Sequence, residues 1–575
     1  MSRHDPDHDA VCASSAARRV VVAPPGTGKT HLAARLAGSL IPHLPSPPVP
    51  DTTVGARVLL LTFSNQATAQ LARAAAQQLS GGVRRRVVVS NYHSLFWTAV
   101  RAHRTALGLP PELEVVSAKR RLQALTAVDP TAVKRLNKLP GLLDAFAEQR
   151  FPVFRDDRTP DASLTARLLA AVEAEHKAGR LVFDDFGALF WQLLDHFPAL
   201  EAAYRARYPI IVADEHQDAS ALQDAVIRRL NPATLVVLAD PMQLIHGFRG
   251  ARAERLDAHL QDCDAQFTLC TPHRWHDHQH AGEWLLAVRE RLDGRAAPAA
   301  RLGGAQITRR PAKYGTSGML APTKYAVSAA FNAGHKRVAV LTRNNADAGR
   351  IRSYLTREGC HPRARTGGTD FEDARAHLED LATLSGPHDM AHHLATAVAE
   401  IVPDFPNGLA KQIEKRLKPD GVDLKRCSPD AEPILNALNV LYRDGTAVYF
   451  PVFVQVLDAC EKAGHHVPPS DMVRAIRDTA TTTTGCLDTD IVAASGRLRA
   501  AAQRPPREVD GLYVMTAHQS KGKEFDAVII ADATHRSYPE DLEGRNLFYV
   551  ALTRGRSMWT IIATDTDHTP LLRHL

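Results

Sequence analysis

The sequence predicts an α/β protein built on two parallel sheets, each interrupted by a mainly helical insertion. Two observations carry this. Short runs of apolar, β-branched residues recur with polar or chemically competent residues at their C-terminal ends, as expected of strands buried on both faces of a parallel sheet. Between two groups of such runs lie long stretches rich in Ala, Leu, Arg and Glu with little strand signal. The chain has 575 residues, too many for one ordinary core, so two or more compact units are expected.

The first group of predicted strands comprises Arg19–Val22, Val58–Thr62, Arg86–Val89, Ile210–Ala213 and Thr234–Ala239. The second comprises Arg337–Thr342, Leu512–Thr516, Ala527–Ala531 and Trp559–Ala563. Residues 96–180 and 379–504 read as the helical insertions. Leu40–Val54 contains five prolines and reads as a surface loop, and the polar run Thr481–Thr484 reads as a linker.

Bulk composition narrows the function classes. A hydrophobic content of 45% and a charged content of 23% are those of a soluble globular protein. The formal net charge of +7 suits a polyanionic partner. No apolar run is long enough to span a membrane, and the start, Met1-Ser2-Arg3-His4-Asp5, lacks the apolar stretch of a signal peptide. The seven cysteines are scattered and never form C-x-x-C, which argues against a disulfide framework or a zinc ribbon. A reducing cytoplasm is the expected location.

The strongest local signal is Ala23-Pro24-Pro25-Gly26-Thr27-Gly28-Lys29-Thr30, between a predicted strand and a predicted helix. This is the context a phosphate-binding P-loop requires. Gly26 and Gly28 let backbone N–H groups close around phosphate oxygens. Lys29 is suited to the β- and γ-phosphates and the Thr30 hydroxyl to magnesium. Asp214 and Glu215 follow a predicted strand; there an aspartate can hold the ion and a glutamate can polarise an attacking water.

With these residues in place, the chain resembles superfamily 1A helicases of the UvrD/Rep/PcrA-like group. Asp214-Glu215-His216-Gln217-Asp218 with Gln223 is similar to motif II. Leu61–Ala67 resembles motif Ia, Tyr92–Leu95 motif Ib, Leu238–Ala251 motif III, and Cys270–Arg274 stands where motif IV belongs. Met515–Phe525 resembles motif V and Arg545–Arg554 motif VI. The chain departs from the family in carrying His246 and Phe248 for a tyrosine and a tryptophan in motif III. It has Pro272-His273-Arg274 in motif IV, and no glutamine precedes Gln66.

The resemblance implies two RecA-like P-loop NTPase lobes with ATP and Mg2+ between them. The first lobe is expected at 1–95 and 181–270 with its insertion at 96–180. The second is expected at 271–378 and 505–575 with its insertion at 379–504. It implies Lys29, Glu215, Gln243, Arg274 and Arg554 as catalytic residues, the two arginines entering from the second lobe. Ala23, Gly26, Thr27, Gly28, Lys29, Thr30, Gly522 and Glu524 would contact nucleotide, and Thr30 and Asp214 the metal.

Implied DNA contacts are Thr62, Phe63, Asn65, His93, His246, Phe248, Arg249, Arg343, Asn344, Thr516 and His518. The expected activity is ATP-driven translocation on single-stranded DNA and unwinding at single-strand/duplex junctions, 3′ to 5′ by family analogy. Repair, recombination or anti-phage defence is the expected setting. A nucleotide-gated DNA-binding switch that regulates a partner nuclease is the alternative. The twenty-one residues after Arg554 leave no room for a nuclease domain, so any cutting is expected of a partner. Lys411, Lys415, Arg416, Lys418, Lys425 and Arg426 form a basic cluster that could meet duplex phosphates, and His273, His276, His278 and His280 read mainly as an exposed helix face.

Overall fold

The structure, a computed structural model, describes residues 5–46, 55–130, 162–247, 250–297, 306–312, 316–363, 374, 377–402, 405–465, 467, 470–503, 509–564 and 567–575. Its strands are β1 (Arg18–Val22), β2 (Val58–Thr62), β3 (Val87–Asn91), β4 (Glu114–Val115), β5 (Arg180–Leu181), β6 (Ile210–Asp214), β7 (Thr234–Ala239) and β8 (Ala265–Thr268) in the first half. The second half has β9 (Gln306–Ala312), β10 (Arg337–Thr342), β11 (Leu417–Lys418), β12 (Gly421–Val422), β13 (Gly511–Thr516), β14 (Phe525–Ile530) and β15 (Gly555–Thr564).

Two parallel sheets organise these strands. The first has six strands in the order β3-β2-β6-β7-β1-β8 and the second five in the order β13-β10-β14-β15-β9. Each is buried on both faces because its strands are apolar at consecutive positions. In the first sheet Leu59, Leu61, Ile211 and Ala213 enter one core, and Val58, Leu60, Ile210 and Val212 the other. In the second, Leu341, Val528 and Ile530 face one core while Val340, Ala527 and Ile529 face the other.

All nine strands read from the sequence are present. The sequence reading missed β8 and β9, which flank the two sheets at an edge. Ala265-Gln266-Phe267-Thr268 alternates polar and apolar residues, and β9 carries two arginines and a proline, which an edge strand tolerates.

The second insertion is a helical bundle with a core of its own. Helices Pro387–Ile401, Asn407–Arg416, Ala431–Asp444, Tyr449–Lys462, Asp471–Thr481 and Leu487–Gln503 surround a core that includes Leu394, Leu438, Phe453 and Ile476. The expected linker Thr481–Thr484 is a turn inside this bundle, fixed where the Thr484 N–H donates to Asp490 Oδ1 at 2.9 Å. The first insertion contributes helices Ala118–Val128 and Ala162–Lys177, tied by the pair β4–β5. Its expected start at residue 96 falls inside helix Tyr92–Ala102, whose Leu95, Phe96 and Ala99 belong to a core of the first lobe.

Candidate active site

β1 ends at the P-loop, and its last residues set the loop's entry: the Ala23 N–H donates to Ala239 O at 2.9 Å. Gly26 and Gly28 have φ of +78° and +82°, a region that favours glycine. Gly28 caps helix Lys29–Leu40 with no side-chain hydrogen bond, so the first-turn N–H groups keep their capacity for an anion. Thr27 Oγ1 donates to Pro24 O at 2.7 Å, bracing the loop. Thr30 lies in the first helical turn.

Lys29 is 8% exposed, and its Nζ sits 2.7 Å from Glu215 Oε1. Burial works against its charge, but Glu215, Asp214 and Asp240 together hold its pKa above the ordinary lysine value. Asp214 ends the fully buried strand β6. Burial pushes its carboxyl upward against the pull of Lys29. Burial also raises Glu215, but the Lys29 and Lys521 charges outweigh it and keep this carboxylate ionised.

Glu215 adopts φ +56°, a strained value for a residue with a side chain. That backbone turn aims its carboxylate at Lys29 and Gln217, whose Nε2 donates to Glu215 Oε2 at 2.6 Å. Gln243 Nε2 donates to Asp240 Oδ2 at 3.0 Å, and Arg289 binds Asp240 Oδ1 at 2.8 Å. The side chain of Gln243 is thus oriented by a fully buried, charge-balanced aspartate.

The second-lobe groups close over this surface. The Arg274 N–H donates to Gly26 O at 3.0 Å, its guanidinium donates to Thr553 O at 2.9 Å, and its Nε lies 2.8 Å from Glu524 Oε1. Burial opposes ionisation of Glu524, but Arg274 and Arg556 bring its carboxyl down to about 2. Trp275 Nε1 donates to Gly555 O at 3.0 Å. Arg554 is 2% exposed and donates to Val550 O at 3.0 Å and Thr553 Oγ1 at 2.9 Å. Burial, reinforced by Arg274, takes its pKa down to about 9. Gly522 has φ +78° in the loop before β14.

Several residues outside the predicted set fasten the lobes together. Lys521 Nζ reaches Asp218 Oδ2 at 2.5 Å and Gln243 O at 2.7 Å. Asn546 Nδ2 donates to Pro241 O at 3.1 Å and Leu244 O at 3.0 Å. These residues lie inside motifs II, V and VI, so their positions were visible but their pairings were not. His8 is a further one: its Nε2 is 3.1 Å from Thr27 O, and its ring lies with His273 against Gly28. His273 in turn meets Asp5. His276, His278 and His280 are exposed, but only His280 lies on a helix, and His273 is part-buried rather than on the exposed helix face expected of the four.

The predicted DNA residues gather along the C-terminal ends of both sheets. Phe63 stacks on His246 with centroids 5.5 Å apart, and His246 lies 6.4 Å from His518, giving a ring series that crosses from one lobe to the other. Thr62 and Thr516 end β2 and β13 and are buried. Asn65 accepts from Asn91 Nδ2 at 2.6 Å. His93 meets the edge of Phe183. Arg343 binds Glu543 at 2.5 Å, and Asn344 caps helix Asn345–Arg357 through the Asp347 N–H at 2.8 Å. Phe248 and Arg249 lie outside the described residues. In the basic cluster, Arg416 donates to the carbonyls of Asp423 and Arg426 and so braces the hairpin β11–β12.

Comparison with known proteins agrees with this geometry. Residues 5–264 match the model of the UvrD/REP helicase N-terminal domain, and residues 511–562 match that of the UvrD-like helicase C-terminal domain. The chain is 25% identical over 386 residues to the ATP-dependent DNA helicase PcrA of Leuconostoc citreum, covering 64% of this chain and 50% of that protein. It is 26% identical over 287 residues to DNA helicase II of Escherichia coli, covering 47% and 37%. It is 27% identical over 300 residues to the ATP-dependent DNA helicase UvrD1 of Mycobacterium bovis, covering 48% and 38%. The matches thus span half or less of these relatives' lengths. With the two domain models together covering more than half of its residues, the chain belongs to the UvrD/Rep/PcrA-like group of superfamily 1A helicases.

Proposed function

We propose that this protein is an ATP-driven DNA translocase and helicase whose nucleotide site lies between its two lobes. The observation that carries the reading is Arg274. It donates to the P-loop at Gly26 O while its guanidinium joins the second-lobe residues Thr553 and Glu524. Groups from both lobes therefore meet at one phosphate-binding loop.

The residues fit a magnesium nucleotide. The side-chain-free cap of helix Lys29–Leu40 and the glycine conformations at 26 and 28 suit phosphate oxygens. Thr30 and Asp214 would hold Mg2+, which supplies charge neutralisation to the phosphates. Lys29 would leave Glu215 for the β- and γ-phosphates, freeing Glu215 to orient the attacking water. Gln243 would report the γ-phosphate to the ring series Phe63–His246–His518 through motif III. Arg274 and Arg554 would stabilise the developing charge, a contribution of about a thousandfold or more in rate.

Hydrolysis removes the charge those arginines grip, so the interlobe cleft loosens and recloses each cycle. Rings stack on bases of any sequence, which suits a motor that moves along single strands. Movement 3′ to 5′ and a role in repair, recombination or anti-phage defence, with or without a separate nuclease, are supported by family resemblance.

The test is the ATPase rate with and without single-stranded DNA, for the natural chain, Lys29→Ala and Arg554→Ala. Strong stimulation abolished in both variants supports the motor. Turnover indifferent to DNA refutes it. Forked duplexes with 3′ or 5′ tails then report polarity, and stimulated turnover without strand displacement would favour a DNA-binding switch.

A further inference from the structure

Behind the nucleotide site, three buried side chains from three separate segments bring one ligand atom each to a common point. His216 follows Glu215, Asp224 lies in helix Ala221–Leu230, and His259 lies in helix Ala253–Asp262. His216 Nε2 is 3.0 Å from Asp224 Oδ1, and His259 Nε2 is 2.6 Å from the same oxygen. The two imidazole nitrogens are 3.1 Å apart. Their residues are only 4%, 7% and 5% exposed, in the order His216, Asp224, His259. The ATP chemistry proposed above uses none of them.

The groups around the cluster already orient it. Tyr92 Oη lies 2.9 Å from His216 Nδ1, on the far side of the ring. Arg228 Nε donates at 3.0 Å to Asp224 Oδ2, leaving Oδ1 for the centre. Such outer partners fix the ring and carboxylate orientation that metal ligands require.

Two occupants can satisfy three converging atoms: protons or a cation. With protons, both imidazoles carry Nε2–H, and both bonds aim at one oxygen while facing each other. With a cation, each ring moves its proton to Nδ1, and the Tyr92 oxygen accepts from His216. A tetrahedral ion with bonds of about 2.0–2.1 Å separates its ligands by about 3.3 Å, so the two wider spacings open by a few tenths of an ångström and the His259–Asp224 pair, now at 2.6 Å, by about 0.7 Å. Magnesium and calcium favour all-oxygen sets, whereas two imidazoles and one carboxylate suit zinc and its neighbours.

We propose that His216, Asp224 and His259 bind one zinc-class divalent transition-metal ion, distinct from the magnesium position. The ion staples the turn carrying Glu215 to the two helices beneath it, so that the left-handed backbone at Glu215 is held from behind. This inference does not depend on the helicase reading, because the three ligands lie outside the nucleotide and DNA contacts.

The experiment uses the full chain without a polyhistidine tag, purified from zinc-supplemented cells and passed over chelating resin. Elemental analysis is expected to find close to one zinc per chain, and cobalt exchange to give ligand-field absorption much stronger than that of the aqueous ion. Melting temperature should fall by several degrees after stripping with a strong chelator and recover with zinc. His259→Ala and His259→Asn should lose the metal, whereas His273→Ala, which alters the separate Asp5–His8–His273 group, should keep it. Zinc below about a tenth of an equivalent with no cobalt spectrum overturns the proposal. So does metal retained by the His259 variants or lost with His273→Ala. If the His259 variants fail to fold, the cobalt spectrum of the natural chain decides.

Discussion

Alanine in place of Gly26 puts a methyl group where the interlobe contact has no room for one. An ideal Cβ there lies 2.5 Å from Trp275 Cζ3 and 2.8 Å from Arg274 Cβ. Carbon atoms settle at about 3.5–4.0 Å, so the neighbours must retreat by roughly an ångström. Neither is free to do so: Trp275 is 2% exposed and bound to Gly555 O, and Arg274 is bound to Thr553 O. The backbone adds its own penalty, since φ +78° costs a side-chain-bearing residue about 1–2 kcal/mol. Overpacking costs a further ~1–3 kcal/mol, giving about 2–5 kcal/mol for Gly26→Ala.

If Arg274 acts on the nucleotide as proposed, a displacement of that size also lowers turnover by about a hundredfold. Urea unfolding and DNA-stimulated ATPase measure the two effects. Gly349→Ala is the control, because that glycine lies within helix Asn345–Arg357 with nothing within 4 Å of its Cβ position. It should be stabilised by about 0.5–1 kcal/mol with unchanged turnover. If Gly26→Ala unfolds and turns over like Gly349→Ala, the contact between motif IV and the P-loop is not part of the working enzyme.

Lys521→Ala strands Asp218 in a buried site and should destabilise the chain by about 3–5 kcal/mol. Adding Asp218→Asn should recover more than about 1 kcal/mol in a double-mutant cycle, and strict additivity would refute the pairing. Burial, with the Arg343 charge, depresses His518 to about 4. The folded state therefore binds fewer protons than the unfolded state between pH 6.5 and 4. Stability should fall by up to about 1 kcal/mol per pH unit as pH drops through that window, and His518→Gln should flatten the slope of its pH–stability profile relative to the natural chain. Phe63→Ala should weaken single-stranded DNA by about 1–3 kcal/mol, regardless of sequence, in fluorescence anisotropy; unchanged affinity would remove Phe63 from the binding surface.

The interior strands were legible because their burial is uniform: Val-Leu-Leu-Leu-Thr at β2 and Ile-Ile-Val-Ala-Asp at β6 are apolar until their last, polar residue. Edge strands β8 and β9 were not, since a strand paired on one side only tolerates Gln266, Arg309 and Pro311. Site residues with fixed motif spacing could be named in advance. Their pairings could not, because Lys521 and Asp218, or Arg274 and Thr553, are hundreds of residues apart and meet only through the relation of two sheets. Glu215 illustrates a third limit: its side chain announces a carboxylate, but nothing local announces a left-handed backbone. His8 gave no signal because its value lies in the loop it touches.

The chain crosses from the first sheet to the second lobe between β8 and helix Gln279–Leu292, and this crossing is pinned to the P-loop at Gly26. For any rotation of one lobe about that point, travel grows in proportion to distance from it. A rotation about it too small to unseat a nucleotide would become a long stroke at the remote rim, as in a short-armed lever with its load at the far end.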